Sequence, residues 1–164
     1  MRKTIAIGCA TLALGAWAGA ADVKAQVPAG CATVLTSDCL SAALTSLGLA
    51  PKPVGKGYLV TLKRDNWTSY VTFVLSDNGA KLGLNTELGD VNEASVTAAQ
   101  WEALLAANAD IEPTIFFYDA AKKRLYLHRV IDNRNLTGPI LREEFEKFVG
   151  AIRHTAPIWG PVAH

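Results

Sequence analysis

The sequence predicts an α+β domain with element order α-β-β-β-α-β-β-α, an antiparallel sheet flanked by helices. Three observations predict it. Thr114–Tyr118 and Arg124–Ile131 are β-rich runs on either side of Asp119-Ala-Ala-Lys-Lys, polar enough for a hairpin loop. Asp77-Asn78-Gly79 divides two other strand-like runs, and Asn-Gly accepts the positive φ of a tight turn. Capped, helix-periodic segments precede and follow the first hairpin.

Taken in order, residues 26–35 read as an irregular leading segment, with Pro28 and Gly30 early in it. Thr36-Ser37-Asp38 offers a helix cap, and Leu40, Leu44 and Leu47 form one apolar stripe at i, i+4 and i+7. Gly48 suits the helix exit and Pro51 and Pro53 stop it, so the first helix covers roughly 37–47. Gly57–Lys63 alternates Tyr58, Val60 and Leu62 against Leu59, Thr61 and Lys63. After a turn at Asp65-Asn66, Ser69–Leu75 sets Val71, Phe73 and Leu75 against Tyr70, Thr72 and Val74. Lys81–Thr86 returns with Leu82 and Leu84 on the buried face. These strands form a meander with one face covered and the other partly wet. Gly89-Asp90-Val91-Asn92 reads as loop.

Thr97 and Gln100 fit a reciprocal capping box, and Trp101, Leu104, Leu105 and Asn108 describe an inward stripe that Pro113 ends. Beyond the hairpin, Asn133–Asn135 turn the chain. Thr137 caps a last helix whose stripe is Leu141, Phe145, Phe148, Val149 and Ile152. Pro157, Ile158, Trp159 and Pro161 form an apolar stretch that packs back on the domain. The expected organisation is a single domain over 36–160 and a short tail over 161–164.

Met1-Arg2-Lys3 followed by the uncharged run Thr4–Ala21 and small residues up to Ala25 has the order of a secretory signal peptide over residues 1–25. Export to the periplasm or outside the cell is the expectation, with no membrane association after cleavage. Cys9 follows Lys3 too closely for a lipoprotein box. The full chain has a formal net charge of +1, and losing Arg2, Lys3, Asp22 and Lys24 leaves it close to neutral. That balance gives no electrostatic case for nucleic acid or an anionic membrane. Two cysteines survive processing, and an oxidising compartment makes a Cys31–Cys39 disulfide the natural pairing. By the chain-entropy account so short a loop contributes about 2–3 kcal/mol.

The residues name no reaction. His128, His154 and His164 fall in no metal-ligand spacing, so neither a metal nor a cofactor is expected. His128 as a general base lacks a specified nucleophile and orienting acid. Glu143, Glu144 and Glu146 sit in the first half of a helix, where its dipole favours negative charge, and read as a solvated face. Lys122-Lys123-Arg124 reads as a solvated hairpin tip. No catalytic residue is assigned. Trp67, at a turn, either packs inward or seeds a partner-binding patch with Tyr70 and Tyr58. The candidate partner-binding residues are Trp67, Tyr70 and Arg129.

The element order, the Trp101-x-x-Leu104-Leu105-x-x-Asn108 helix, the Phe116-x-Tyr118-Asp119 strand end, and Leu136-Thr137 opening a helix that leads to Thr155-x-x-x-Trp159 resemble the type III secretion chaperone-like superfamily, with its YbjN-type and CesT-like members. The likeness spans roughly residues 36–160. It implies a strongly twisted sheet, homodimerisation, and binding of protein partners in place of catalysis. The expected function is a non-enzymatic exported domain that binds a protein or peptide. A small hydrolase using His128, or an envelope inhibitor or structural protein, are the alternatives.

Overall fold

The computed structural model describes Cys31 and residues 35–163; the expected signal peptide, most of the leading segment and His164 lie outside the described residues. Ten elements follow in chain order: α1 (Ser37–Ser46), β1 (Lys52–Val54), β2 (Gly57–Arg64), β3 (Trp67–Leu75), β4 (Lys81–Asp90), α2 (Ala98–Ile111), β5 (Thr114–Asp119), β6 (Arg124–Asp132), α3 (Gly138–His154) and α4 (Ala156–Trp159). The six strands form one antiparallel sheet in the order β1-β2-β3-β4-β6-β5. The α+β architecture is therefore the predicted one.

Local chemistry sets the helices. Thr36 accepts from the Cys39 N–H to start α1, and Thr97 and Gln100 form the expected reciprocal capping box on α2. Thr137 accepts from the Ile140 N–H to start α3, whose stripe from Leu141 to Ile152 is buried as read. The core lies between the helices and one sheet face, with Val60, Val71, Phe73, Leu82, Leu84, Leu125 and Leu127 shut away from solvent. Phe73 packs against Phe145 of α3 with ring centroids 5.6 Å apart.

Three elements differ from expectation. Lys52–Val54 is a strand that pairs with Leu59, Tyr58 and Gly57, where Pro51 and Pro53 had suggested only a helix stop. An edge strand tolerates Pro because its outward N–H has no partner to lose. β4 runs on past Thr86 to Asp90 through a register shift between Glu87 and Gly89, because β6 supplies a full-length partner. The stretch after Thr155 coils into α4, with the Trp159 indole N–H donating to the Ile152 carbonyl at 3.0 Å. Val162 and Ala163, read as tail, are buried, and Ala163 bridges Val91.

Cys31 and Cys39 are joined by the expected disulfide. The segment behind it is held by Asn133, which is wholly buried. Its side chain accepts from the Leu35 N–H and donates to the Leu35 and Gly79 carbonyls. One amide thus ties the leading segment, the β3–β4 turn and the exit of β6. Gly79 takes the positive φ of 68° that the turn requires.

Gly57 is present for a different reason: a Cβ there would lie 2.1 Å from the Phe73 carbonyl oxygen. Gly57→Ala should therefore cost about 1–3 kcal/mol as β2 and β3 are forced apart. Chemical denaturation would show it as a lower midpoint, and an unchanged midpoint would contradict the close approach.

Candidate functional site

The sheet face away from the helices is built by alternation. Leu125, Leu127, Arg129 and Ile131 of β6 point into the core, so Tyr126, His128 and Val130 point out. Ile115 and Phe117 of β5, Val74 and Tyr70 of β3, and Gly83 and Asn85 of β4 share that outer face through the strand register. Tyr70 is 57 % exposed and Phe117 41 %, with Ile115 and Val130 similar. Phe117 stacks on Tyr126 at 5.0 Å and meets the edge of His128 at 6.1 Å. Beside them lies a shallow groove of about 230 Å³ between Val74, Gly83, Asn85, His128 and Val130. These exposed apolar side chains all lie on the one face of the sheet that the helices leave open.

His128 is oriented by Asn85, whose side-chain oxygen faces Nδ1. An amide oxygen can only accept, so Nδ1 carries the proton. Burial, which penalises the charged ring, pushes the His128 pKa down. The ring is therefore a neutral contact surface near pH 7. Among the described residues no group of three His, Cys, Asp or Glu side chains stands together as a metal site.

Arg129 is not on this surface. It is 5 % exposed, with Nε and Nη2 donating to one oxygen of Glu144 on α3 and Nη1 donating to Thr114 Oγ1 at 3.0 Å. Strand parity turns it inward, so its expected role in partner binding is corrected to a buried tie between α3 and the sheet. Glu144 likewise leaves the solvated acidic face expected of it. Glu146 pairs with Arg64 of β2 and Glu143 with Lys147, and that lysine holds the Glu143 carboxyl below its usual range. At the hairpin tip, Arg124 donates to Glu87 and Asp90, and Lys122 pairs with Asp119.

Trp67 and Tyr70 do come together. Trp67 is half-buried, edge-on to Trp159 at 6.3 Å, and both it and Tyr70 line a cleft of about 360 Å³ that also touches Ser69, Thr86, Glu87, Leu88 and Ile152. Leu105, read as inward, is 70 % exposed on α2, because Leu104 and Ala107 take the core side. With Trp101, Asn108, Phe117 and Tyr118 it borders a groove of about 180 Å³ along β5. Sequence reasoning missed Ile115, Phe117 and Val130. The signal was the unbroken run Ile115-Phe116-Phe117, apolar on both faces of a strand.

The Tir chaperone protein (CesT) family matches residues 38–156. YbjN from E. coli is similar in structure, with a TM-score of 0.57, 15 % identity, and coverage of 76 % of this chain and 96 % of that one. A chain of the HopA1–SchA chaperone–effector complex gives a TM-score of 0.50 at 17 % identity, covering 70 % of this chain and 88 % of that one. At these identities the likeness is one of fold. No protein with a curated description matches the chain.

Proposed function

The chain belongs to the Tir chaperone protein (CesT) family, and on that premise we propose that it is an exported, non-enzymatic domain that holds an extended segment of a protein partner against its open sheet face. The observation that carries this is the exposure of Tyr70, Ile115, Phe117 and Val130 on one face of the sheet. Side chains that project at strand spacing suit an extended polypeptide, which presents its own side chains with the same period. The HopA1–SchA complex, a chaperone with its effector, supports a protein as the class of ligand.

Export rests on the charged start and apolar run of residues 1–25, and the Cys31–Cys39 bond suits an oxidising compartment. Amino-terminal sequencing of the protein from the envelope or medium should begin after residue 25; an intact Met1 there would count against it.

Fluorescence anisotropy with labelled, reduced and carboxymethylated α-lactalbumin, a permanently unfolded chain, tests binding. Phe117→Asp together with Val130→Asp should weaken it at least about tenfold, or roughly 1.4 kcal/mol, with the far-ultraviolet spectrum unchanged. Equal binding by the folded variant would remove the open face from the mechanism.

We further propose a homodimer through the outer side of α2, where Leu105 and its groove along β5 leave apolar surface uncovered. Leu105→Asp should convert the protein to monomer by light scattering. A wild type that is monomeric at high micromolar concentration would refute the dimer.

A further inference from the structure

The sheet is forked. β3 and β4 pair only over Thr72–Leu75 with Leu82–Asn85. Beyond those four pairs β3 stays on β2 as far as Trp67, while β4 stays on β6 as far as Asp90. Two three-stranded halves are therefore joined near the Asn78-Gly79 turn and part from one another toward the opposite end. The cleft bounded by Trp67, Tyr70, Glu87 and Trp159 is the space between the prongs.

The turn fixes which main-chain groups face that space. Ser76 N–H donates to the Lys81 carbonyl, so hydrogen-bonded pairing recurs at every second residue from there. Along β3 this points the N–H and C=O of Thr68 and Tyr70 toward the gap, and along β4 those of Glu87. Thr68 and Tyr70 pair only with β2, at Lys63 and Thr61, and Glu87 only with β6, at Tyr126, so no strand takes up the groups on the side of the gap. Two hydroxyls add to these groups. Ser69 and Thr86 are both buried yet make no side-chain hydrogen bond among the described residues, whereas every fully enclosed side-chain nitrogen or oxygen there has a partner. Their hydroxyls must therefore retain access to the cleft.

The outer edges of the sheet are blocked at two points, one on β1 and one on β5. The ladder phase turns Pro53 of β1 outward, where it has no N–H to offer. On β5, Asn108 accepts from the Phe116 N–H at 2.6 Å and donates to the Phe116 carbonyl at 3.5 Å. A side-chain amide there stands in for the neighbouring strand.

We propose that an extended segment of the partner polypeptide enters the fork as a strand, pairing its main chain with Thr68 and Tyr70. About three residues, some 10 Å of strand, reach from Tyr70 past Thr68. Alternation then directs one side chain of the segment toward Trp67, Ile152 and Trp159, so that residue is apolar. Its neighbours face the solvent side with Tyr70 and Glu87. The inference rests on the open-face reading and adds a second contact, at the end of that face, that recognises main chain in place of side chains.

Nuclear magnetic resonance of the intact, isotope-labelled domain with unlabelled, reduced and carboxymethylated α-lactalbumin tests it. The amides of Thr68 and Tyr70 should exchange at least about tenfold more slowly when the chain is bound, with shift changes at Ser69, Thr86 and the Trp67 and Trp159 indoles. A peptide of the bound segment N-methylated at alternate residues, which cannot donate to the fork, should lose that protection. Shift changes confined to Val74, Gly83, His128 and Val130, with exchange at Thr68 and Tyr70 unaltered, would overturn the fork while leaving the open face intact. An absence of any change in the domain would overturn both.

Discussion

Asn133→Ala should lower the unfolding free energy by about 3–5 kcal/mol, the largest loss expected of any single polar substitution in the domain. The truncation leaves the Leu35 N–H and the Leu35 and Gly79 carbonyls without partners. Each stranded buried group costs about 1–3 kcal/mol, and the amide that is lost is itself wholly buried. Because a domain of this size is stable by only about 5–15 kcal/mol, the variant should sit near the edge of folding at 37 °C. Urea denaturation followed by tryptophan fluorescence measures it. A loss under about 1 kcal/mol would mean that the leading segment is not anchored there. Cys39→Ser should cost less, about 2–3 kcal/mol, since it releases only the short disulfide loop.

Glu144→Ala is expected to cost about 3 kcal/mol. Arg129 would keep its charge beneath α3, with Thr114 as its one remaining partner. Breaking a buried pair from one side costs more than removing both charges, because the survivor stays desolvated. The double variant Arg129→Met, Glu144→Leu should therefore recover most of the lost stability. A thermodynamic cycle over the three variants settles it. If Glu144→Ala proves as mild as removing Asp77 from its exposed pair with Lys56, the interior tie is not as described.

These two sites also mark how far the sequence could be read. Helix starts at Thr36, Thr97 and Thr137, the Asn78-Gly79 turn and the α3 stripe are set by neighbours within a few residues, so a linear reading finds them. Asn133 looked like a turn residue, and Glu144 like one acid among three, because their partners lie elsewhere in the chain. Strand parity on β6 did the rest: once Leu127 points inward, Arg129 must too, however charged it is. The fork was illegible for the same reason. Trp67 and Tyr70 drew attention as large aromatics, but only the point at which β3 leaves β4 shows that they border one cleft.

The tie at Asn133 has a consequence for the order in which the molecule closes. Leu35 meets its partner 98 residues further along the chain, and β4, already paired with β3, gains its second neighbour β6 only after α2 and β5 are made. During synthesis the emerging polypeptide holds a half-built sheet until its final third has left the ribosome. Completion is then an event of the released chain.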